Sequence, residues 1–165
     1  MASQYYVHHL GQDDSELMNA LLSVFGAAFN EVETYVGKRP GPEYIRRLLG
    51  SDYFIALAAL EDNEVVGGIA AYHLKKFEQE RKEIYISDLA VAEEHRRKGI
   101  ATGLIRKLRK IAAARGAYVI FVQADTGVED EPAIALYTKL GVREDVLHFD
   151  IAVEDGDDAA AHANE

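Results

Sequence analysis

Apolar positions recur along this chain in two periods, and each switch of period marks an element. Leu17, Ala20, Leu21, Val24, Phe25 and Ala28 fall at helical spacing, and Asp13, Asp14 or Ser15 stands ready to cap the helix they predict. A second, short helix opens at Gly41-Pro42 and carries Ile45, Leu48 and Leu49. Leu104, Ile105, Leu108, Ile111 and Ala112 make the inner stripe of a helix over 99–115, closed by Gly116. A last helix over 132–140 is opened by Pro132 and closed by Gly141.

Between these lie runs with strand character. Residues 5–10 predict a first strand. Residues 53–60 and 65–74 flank Glu61-Asp62-Asn63-Glu64 and read as a hairpin. The charged stretch 75–82 reads as a solvated loop. In 84–91, strict alternation places Ile84, Ile86, Asp88 and Ala90 on one face and Tyr85, Ser87, Leu89 and Val91 on the other. Residues 119–123 predict a buried strand. Residues 146–153 predict a final one, with Leu147, Phe149, Ile151 and Val153 inward and His148 and Asp150 on the opposite face. The order is β-α-α-β-β-β-α-β-α-β, a mixed α/β domain whose sheet combines hairpins with one βαβ crossover.

The switch from strand to helix at 88–103 carries chemistry. Leu89-Ala90-Val91 ends the strand. Arg96-Arg97-Lys98 precedes a helix that starts Gly99-Ile100-Ala101-Thr102-Gly103. A helix N-terminus exposes unpaired N–H groups and the positive end of a dipole, and small residues let a phosphate approach them. Residues 96–103 therefore predict a pyrophosphate cradle. The turn lacks the Lys-Ser/Thr of a nucleotide P-loop and the three spaced glycines of a dinucleotide fingerprint. Standing alone, a basic turn before a helix is more often just solvated.

Composition narrows the partners. The chain has 165 residues and a net charge of −10. Five acids among the last twelve residues, with no Lys or Arg, carry half of that charge, and 154–165 reads as a disordered acidic tail behind a single domain over 1–153. An acidic body argues against nucleic acid and anionic membranes and fits a cationic partner. There is no apolar run of membrane-spanning length and no secretory leader pattern, which suits the cytoplasm. The chain has no cysteine, so disulfides, thiolate metal sites and a cysteine nucleophile are excluded, and its six histidines show no ligand spacing. No metal is expected.

The Arg96-x-x-Gly99-x-Ala101 turn, the preceding Leu-Ala-Val and the later Ala133-x-x-Leu136-Tyr137-x-Lys139-x-Gly141 stand together in one order and spacing. That combination resembles the GNAT superfamily of acetyl-CoA-dependent N-acetyltransferases, over nearly the whole of 5–153. Within it the chain looks most like the type I aminoglycoside 3-N-acetyltransferases, the gentamicin acetyltransferases. The supporting segments are 83–91, 94–102, 116–125, 132–141 and 147–151. Three positions depart from the family pattern: Asp130 where Asn is frequent, Val142 where Phe is frequent, and Ser87 where an aromatic residue is expected.

The resemblance implies a GNAT-type fold: a central, mostly antiparallel twisted sheet flanked by helices, splayed to form a cofactor cleft. It implies acetyl-CoA as cosubstrate, with its pantetheine arm along Leu89, Ala90 and Val91. The Leu89 N–H would face the thioester carbonyl, and the pyrophosphate would lie on Arg96, Arg97, Lys98, Gly99, Ile100, Ala101 and Thr102. It makes Tyr137 the general acid for departing CoA, and a homodimer the expected assembly. Without cysteine, the simplest reaction is direct attack of a neutral amine on the thioester.

The base is open. Asp150, sharing a strand face with His148, is the first choice for holding or deprotonating the amine. Asp88 needs a reason to stand among isoleucines, and anchoring a loop is slightly favoured over catalysis. An aminoglycoside needs several carboxylates around it; Asp125, Glu129, Asp130 and Asp150 would supply them, with Glu83 and Tyr85 at the edge and His148 beside Asp150. By composition alone 125–130 is an ordinary acidic loop. The alternatives are an acetyltransferase for a polyamine or a peptide lysine, and a non-catalytic acyl-CoA-binding module.

Overall fold

The computed structural model describes residues 4–153, so the tail expected at 154–165 lies outside the described residues. The chain forms two compact units, residues 1–123 and 124–165.

The first unit is built on a five-stranded sheet in the order β1-β2-β3-β4-β5. Its elements are β1 (Tyr6–His9), α1 (Ser15–Ala28), a π-helical turn Glu33–Gly37, α2 (Pro42–Leu49), β2 (Phe54–Glu61), β3 (Glu64–Lys75), β4 (Lys82–Val91), α3 (Ile100–Ala114) and β5 (Ala117–Val122). The pairs β1·β2, β2·β3 and β3·β4 are antiparallel. The pair β4·β5 is parallel, its crossover being α3. The sheet is therefore mixed and mostly antiparallel, flanked by helices, as the sequence pattern and the family resemblance both predict.

Alternation along the strands divides the core into two layers. Phe54, Ala56, Ala58, Leu60, Ala70 and Ala90 join Met18, Leu21 and Phe25 of α1 and Ile45 and Leu49 of α2 in one cluster. Ile55, Leu57, Ile69, Ile84 and Ile86 are also buried, as are Ile100, Leu104 and Leu108 of α3, which packs against β2, β3, β4 and β5. A fully buried Leu or Ile contributes about 1.5–3 kcal/mol by leaving water, so these stripes fix the register of the sheet.

One irregularity reshapes β4. Ala70 pairs with Asp88 and Ala71 pairs with Ile86, so Ser87 is an extra residue, a β-bulge. Directly paired residues share a face. Asp88 and Ala90 thus lie on the α1 side with Ala70, whereas Ile84 and Ile86 lie on the α3 side with His73 and Ala71. The strict alternation expected for 84–91 is corrected here: Asp88 does not share a face with Ile84 and Ile86. The Ser87 hydroxyl donates to the Ala70 carbonyl oxygen at 3.1 Å, holding the bulge.

Two further expectations fail. The stretch 119–123 belongs to a half-exposed strand rather than a buried one: β5 ends the sheet, and Tyr118 and Val119 are exposed. In the second unit, a 3-10 turn Val128–Asp130 leads into α4 (Glu131–Leu140), but 146–153 forms no strand. A strand needs a neighbour to take up its main-chain groups, and the described residues of the second unit hold no strand for 146–153 to pair with.

Candidate functional site

The bulge at Ser87 coincides with the point where β4 loses a partner. On one side, β4 pairs with β3 as far as Val91↔Gly67. On the other, pairing with β5 stops at Ile86↔Val122. Among the described strands of the first unit, none pairs with the β5-side edge of Ser87, Asp88, Leu89, Ala90 and Val91. An open strand edge offers main-chain donors and acceptors to an extended ligand.

The loop after β4 turns back to the end of that edge. A 3-10 turn Glu93–His95 precedes it, and the Arg96 Nε donates to the Val91 carbonyl oxygen at 3.1 Å. Arg97 and Gly99 both have positive φ, 66° and 79°. Gly99 is the N-cap of α3 and supplies no side-chain cap. The first-turn N–H groups of α3 are therefore unclaimed by a cap, beside exposed Arg96, Arg97 and Lys98. Buried Ile100 anchors this end of the helix in the core. The sequence-predicted residues 89–91 and 96–102 thus come together as one continuous surface of edge, loop and helix end.

Three contacts hold that surface, and none of them was predicted. The Tyr5 hydroxyl donates to the Gly99 carbonyl oxygen at 3.1 Å. A side chain at Gly103 would overlap the same Tyr5 hydroxyl. Glu61, the last residue of β2, pairs with His95 at 2.6 Å and with Lys98 at 3.5 Å. A single Tyr before a strand and a Glu in a hairpin carry no local signal of a role some 35 to 95 residues away.

Asp88 is anchored. The Tyr35 hydroxyl, in the π-helical turn, donates to the Asp88 Oδ1 at 3.1 Å. Burial raises the Asp88 pKa from its ordinary value; the Tyr35 bond opposes that rise and the Glu31 charge adds to it. Burial and the Asp88 charge raise the Tyr35 pKa in turn.

Glu83 and Tyr85 sit nearer the start of β4. Glu83 accepts from the Tyr118 hydroxyl and lies 3.8 Å from the Lys76 Nζ. Tyr85 stacks on Phe121 with centroids 4.9 Å apart, its hydroxyl 3.4 Å from Gln123.

The remaining candidates belong to the second unit. Burial, then the Asp130 charge, pushes the Tyr137 pKa up to about 12, so this phenol stays protonated across the physiological range. The Asp125 N–H donates to the Asp130 carboxylate at 2.8 Å. Asp130, the departure from Asn, thereby closes the loop that leads into α4. Asp125 and Glu129 are exposed. His148 Nε2 and Asp150 Oδ1 lie 2.9 Å apart, the carboxylate–imidazole pair that the alternation predicts. Among the described residues, no three His, Cys, Asp or Glu side chains cluster as metal ligands, and no helix is long and apolar enough to cross a membrane.

The mixed sheet opened beside a bulged strand, with a basic loop leading into a helix N-terminus, goes with a family match that makes this an acetyltransferase fold. The chain belongs to the acetyltransferase (GNAT) family, whose model matches residues 16–142. Among solved structures it is similar to an aminoglycoside acetyltransferase, HMB0005, from an uncultured soil metagenomic sample. The two are 70% identical with a TM-score of 0.90, over 92% of this chain and 99% of that one. A second soil metagenomic aminoglycoside acetyltransferase, meta-AAC0020, solved in complex with sisomicin, is 29% identical with a TM-score of 0.81, over 91% and 97% of the two chains. Among curated proteins, human N-acetyltransferase 8 is 27% identical over 139 residues, 75% of this chain; the match spans 59% of the human protein's length.

Proposed function

We propose that this chain is an acetyl-CoA-dependent N-acetyltransferase whose acceptor is an aminoglycoside, acetylated at the 3-amine, and that it thereby confers resistance to such antibiotics. The observation that carries the acyl-transfer reading is the open edge of β4 from Ser87 to Val91, continuous through the Arg96–Val91 bond with the uncapped start of α3. The acceptor reading is supported by likeness to two proteins named aminoglycoside acetyltransferases, one at 70% identity. The 3-amine rests on the sequence resemblance alone.

In this reading, Leu89, Ala90 and Val91 receive the pantetheine amides, and the N–H groups of 97–102 receive the pyrophosphate. Arg96 shapes the loop through Val91, and Lys98 does so through Glu61. The Leu89 N–H lies at the bulge, where a fixed donor stabilises the negative charge that grows on a thioester oxygen during attack. The amine attacks as a free base, the C–S bond breaks, and the thiolate takes a proton from Tyr137, a phenol held protonated by its raised pKa. Asp150, oriented by His148, holds the ammonium and accepts its proton. Asp125 and Glu129 contribute negative charge for a polycation, and Glu83 and Tyr85 are further candidates for acceptor contact. Acetyl-CoA supplies the activated acetyl group.

The test is thiol release from acetyl-CoA with gentamicin, sisomicin, spermidine or a lysine peptide as acceptor, followed by mass spectrometry and NMR of the product. Release with an aminoglycoside and acetylation at the 3-amine support the reading. Release with spermidine or peptide alone overturns the acceptor assignment. Tight CoA binding without release from any amine overturns catalysis.

A further inference from the structure

The three cations before α3 are not equivalent. The Arg96 Nε donates to the Val91 carbonyl oxygen at 3.1 Å. The Lys98 Nζ lies 3.5 Å from the Glu61 Oε2. Among the described residues, only Arg97 of the three has a side chain without a hydrogen-bond or ion-pair partner; it is exposed, on a left-handed backbone with φ 66°. Two of the three cations are thus taken up by the protein itself, one of them by a carboxylate.

That carboxylate stands on a rigid support. Glu61 ends β2 and pairs with Glu64 across a two-residue turn. Asp62 and Asn63 hold φ at 52° and 65°, the signs that the tightest hairpin turn requires. The Glu61 side chain is only 16% exposed, and its Oε2 accepts from the His95 Nδ1 at 2.6 Å. A nitrogen that donates there has no lone pair for Lys98, 3.3 Å away, so the ammonium is left to the carboxylate. The loop is tied to the same hairpin at its start, where the Ala92 N–H donates to the Val66 carbonyl oxygen at 2.8 Å. One hairpin thus carries the loop at Ala92, His95 and Lys98.

We propose that Glu61 is a positioning residue for the cofactor. Through His95 and Lys98 it fixes the turn 95–99, so that the N–H groups of 97–102 are aimed before the diphosphate arrives, and Lys98 is a strut rather than a phosphate ligand. Arg97 is then the free charge of the triplet for the anion. This role rests on the CoA reading above. The sign of the effect is diagnostic. A carboxylate beside an anion site opposes the anion by Coulomb's law, so its removal tightens binding if charge alone counts. If Glu61 acts by placing the loop, its removal weakens binding, because donors that must first be ordered bind less tightly than donors already in place.

Calorimetric titration with CoA at about 50 and about 200 mM salt compares the parent with Glu61→Ala, Glu61→Gln, Lys98→Gln, Arg97→Gln and the double change Glu61→Ala/Lys98→Gln. Glu61→Ala should weaken CoA binding about tenfold, and Glu61→Gln, which keeps an acceptor for His95, should weaken it less. Lys98→Gln should lose about as much as Glu61→Ala, and the double change no more than either, since the two residues act as one unit. Arg97→Gln should flatten the salt dependence of binding, and Lys98→Gln should not. In steady state, Glu61→Ala should raise the acetyl-CoA KM about tenfold and leave kcat and the acceptor KM unchanged. Its Tm should stay within about 2 °C of the parent. CoA affinity in Glu61→Ala equal to the parent's, or tighter, overturns the proposal. So does an additive loss with a flattened salt slope in Lys98→Gln, which makes Lys98 a phosphate ligand. A Tm fall beyond about 5 °C with both KM values raised also overturns it and makes Glu61 a folding residue. A parent chain that binds no CoA sinks the cofactor reading itself, and this role with it.

Discussion

The Tyr35 hydroxyl reaches across 53 residues of sequence to donate to the Asp88 carboxylate at 3.1 Å, at the bulge where β4 parts from β5. The bond fixes a half-buried carboxylate one residue before Leu89. Folding raises the Asp88 pKa, so the folded chain binds more protons than the unfolded chain between the ordinary and the raised value. Stability therefore falls as pH rises through that interval and levels off above it. Asp88→Asn, which keeps an acceptor for Tyr35, should flatten this slope and gain stability relative to the parent at neutral pH. Tyr35→Phe should push the Asp88 pKa further up and destabilise by about 1 kcal/mol through a half-buried carboxylate short of a donor. Urea unfolding of the three proteins from pH 4 to 8 checks both; parallel curves for the parent and Asp88→Asn would show that Asp88 does not titrate differently in the fold.

Gly99 holds φ at 79°, with open space where a Cβ would stand. Gly99→Ala therefore meets no clash but pays the left-handed penalty of about 1–2 kcal/mol, and the loop should relax. Gly103→Ala meets the Tyr5 hydroxyl, which also donates to the Gly99 carbonyl oxygen. Both changes should weaken CoA affinity by about tenfold, with little loss in global Tm beyond the local cost. Tyr5→Phe should partly restore Gly103→Ala, because it removes the oxygen in the way. Calorimetric titration with CoA reads all four; unchanged affinity in Gly99→Ala would remove this loop from the cofactor reading.

Much of this was legible in the pattern. The helical stripes of α1 and α3 and the alternation in β2 and β3 fixed the order of elements and the mixed sheet. The Leu-Ala-Val strand end and the Arg-x-x-Gly-x-Ala turn located the edge and loop. The bulge was hidden: Ser87 looks like any strand residue, and one inserted residue turns Asp88 away from Ile84 and Ile86. Tyr35 was invisible because its partner lies 53 residues away. The strand expected at 146–153 has the right periodicity, but periodicity reports only an alternation of faces and does not supply the neighbouring strand that a ladder needs.

Tyr137, with its pKa pushed up to about 12, stays protonated throughout an ordinary assay range, as the proposed general acid must. Tyr137→Phe should lower kcat by about 10²-fold or more, the usual worth of a positioned acid, and leave CoA affinity within about twofold. The basic limb of the kcat profile should show no group near 10, since deprotonation of this tyrosine lies higher. Steady-state rates from pH 6 to 10.5 check this. A tyrosine-like limb near 10 that vanishes in Tyr137→Phe would contradict the raised pKa, and an unchanged kcat would end the acid role.

His148 and Asp150 meet at 2.9 Å while both remain largely exposed, so burial does not hold the pair together. Such a pair contributes little to stability, and Asp150→Asn should shift Tm by no more than about 1–2 °C. Its effect belongs on the acceptor. If the carboxylate holds the ammonium, Asp150→Asn should raise the aminoglycoside KM by about tenfold and leave the acetyl-CoA KM unchanged; if it also takes the proton, kcat should fall as well. His148→Gln, which keeps a donor toward Asp150, should be milder than His148→Ala. Initial rates with each substrate varied separate these cases. An equal rise in both KM values, together with a lower Tm, would place Asp150 in folding instead.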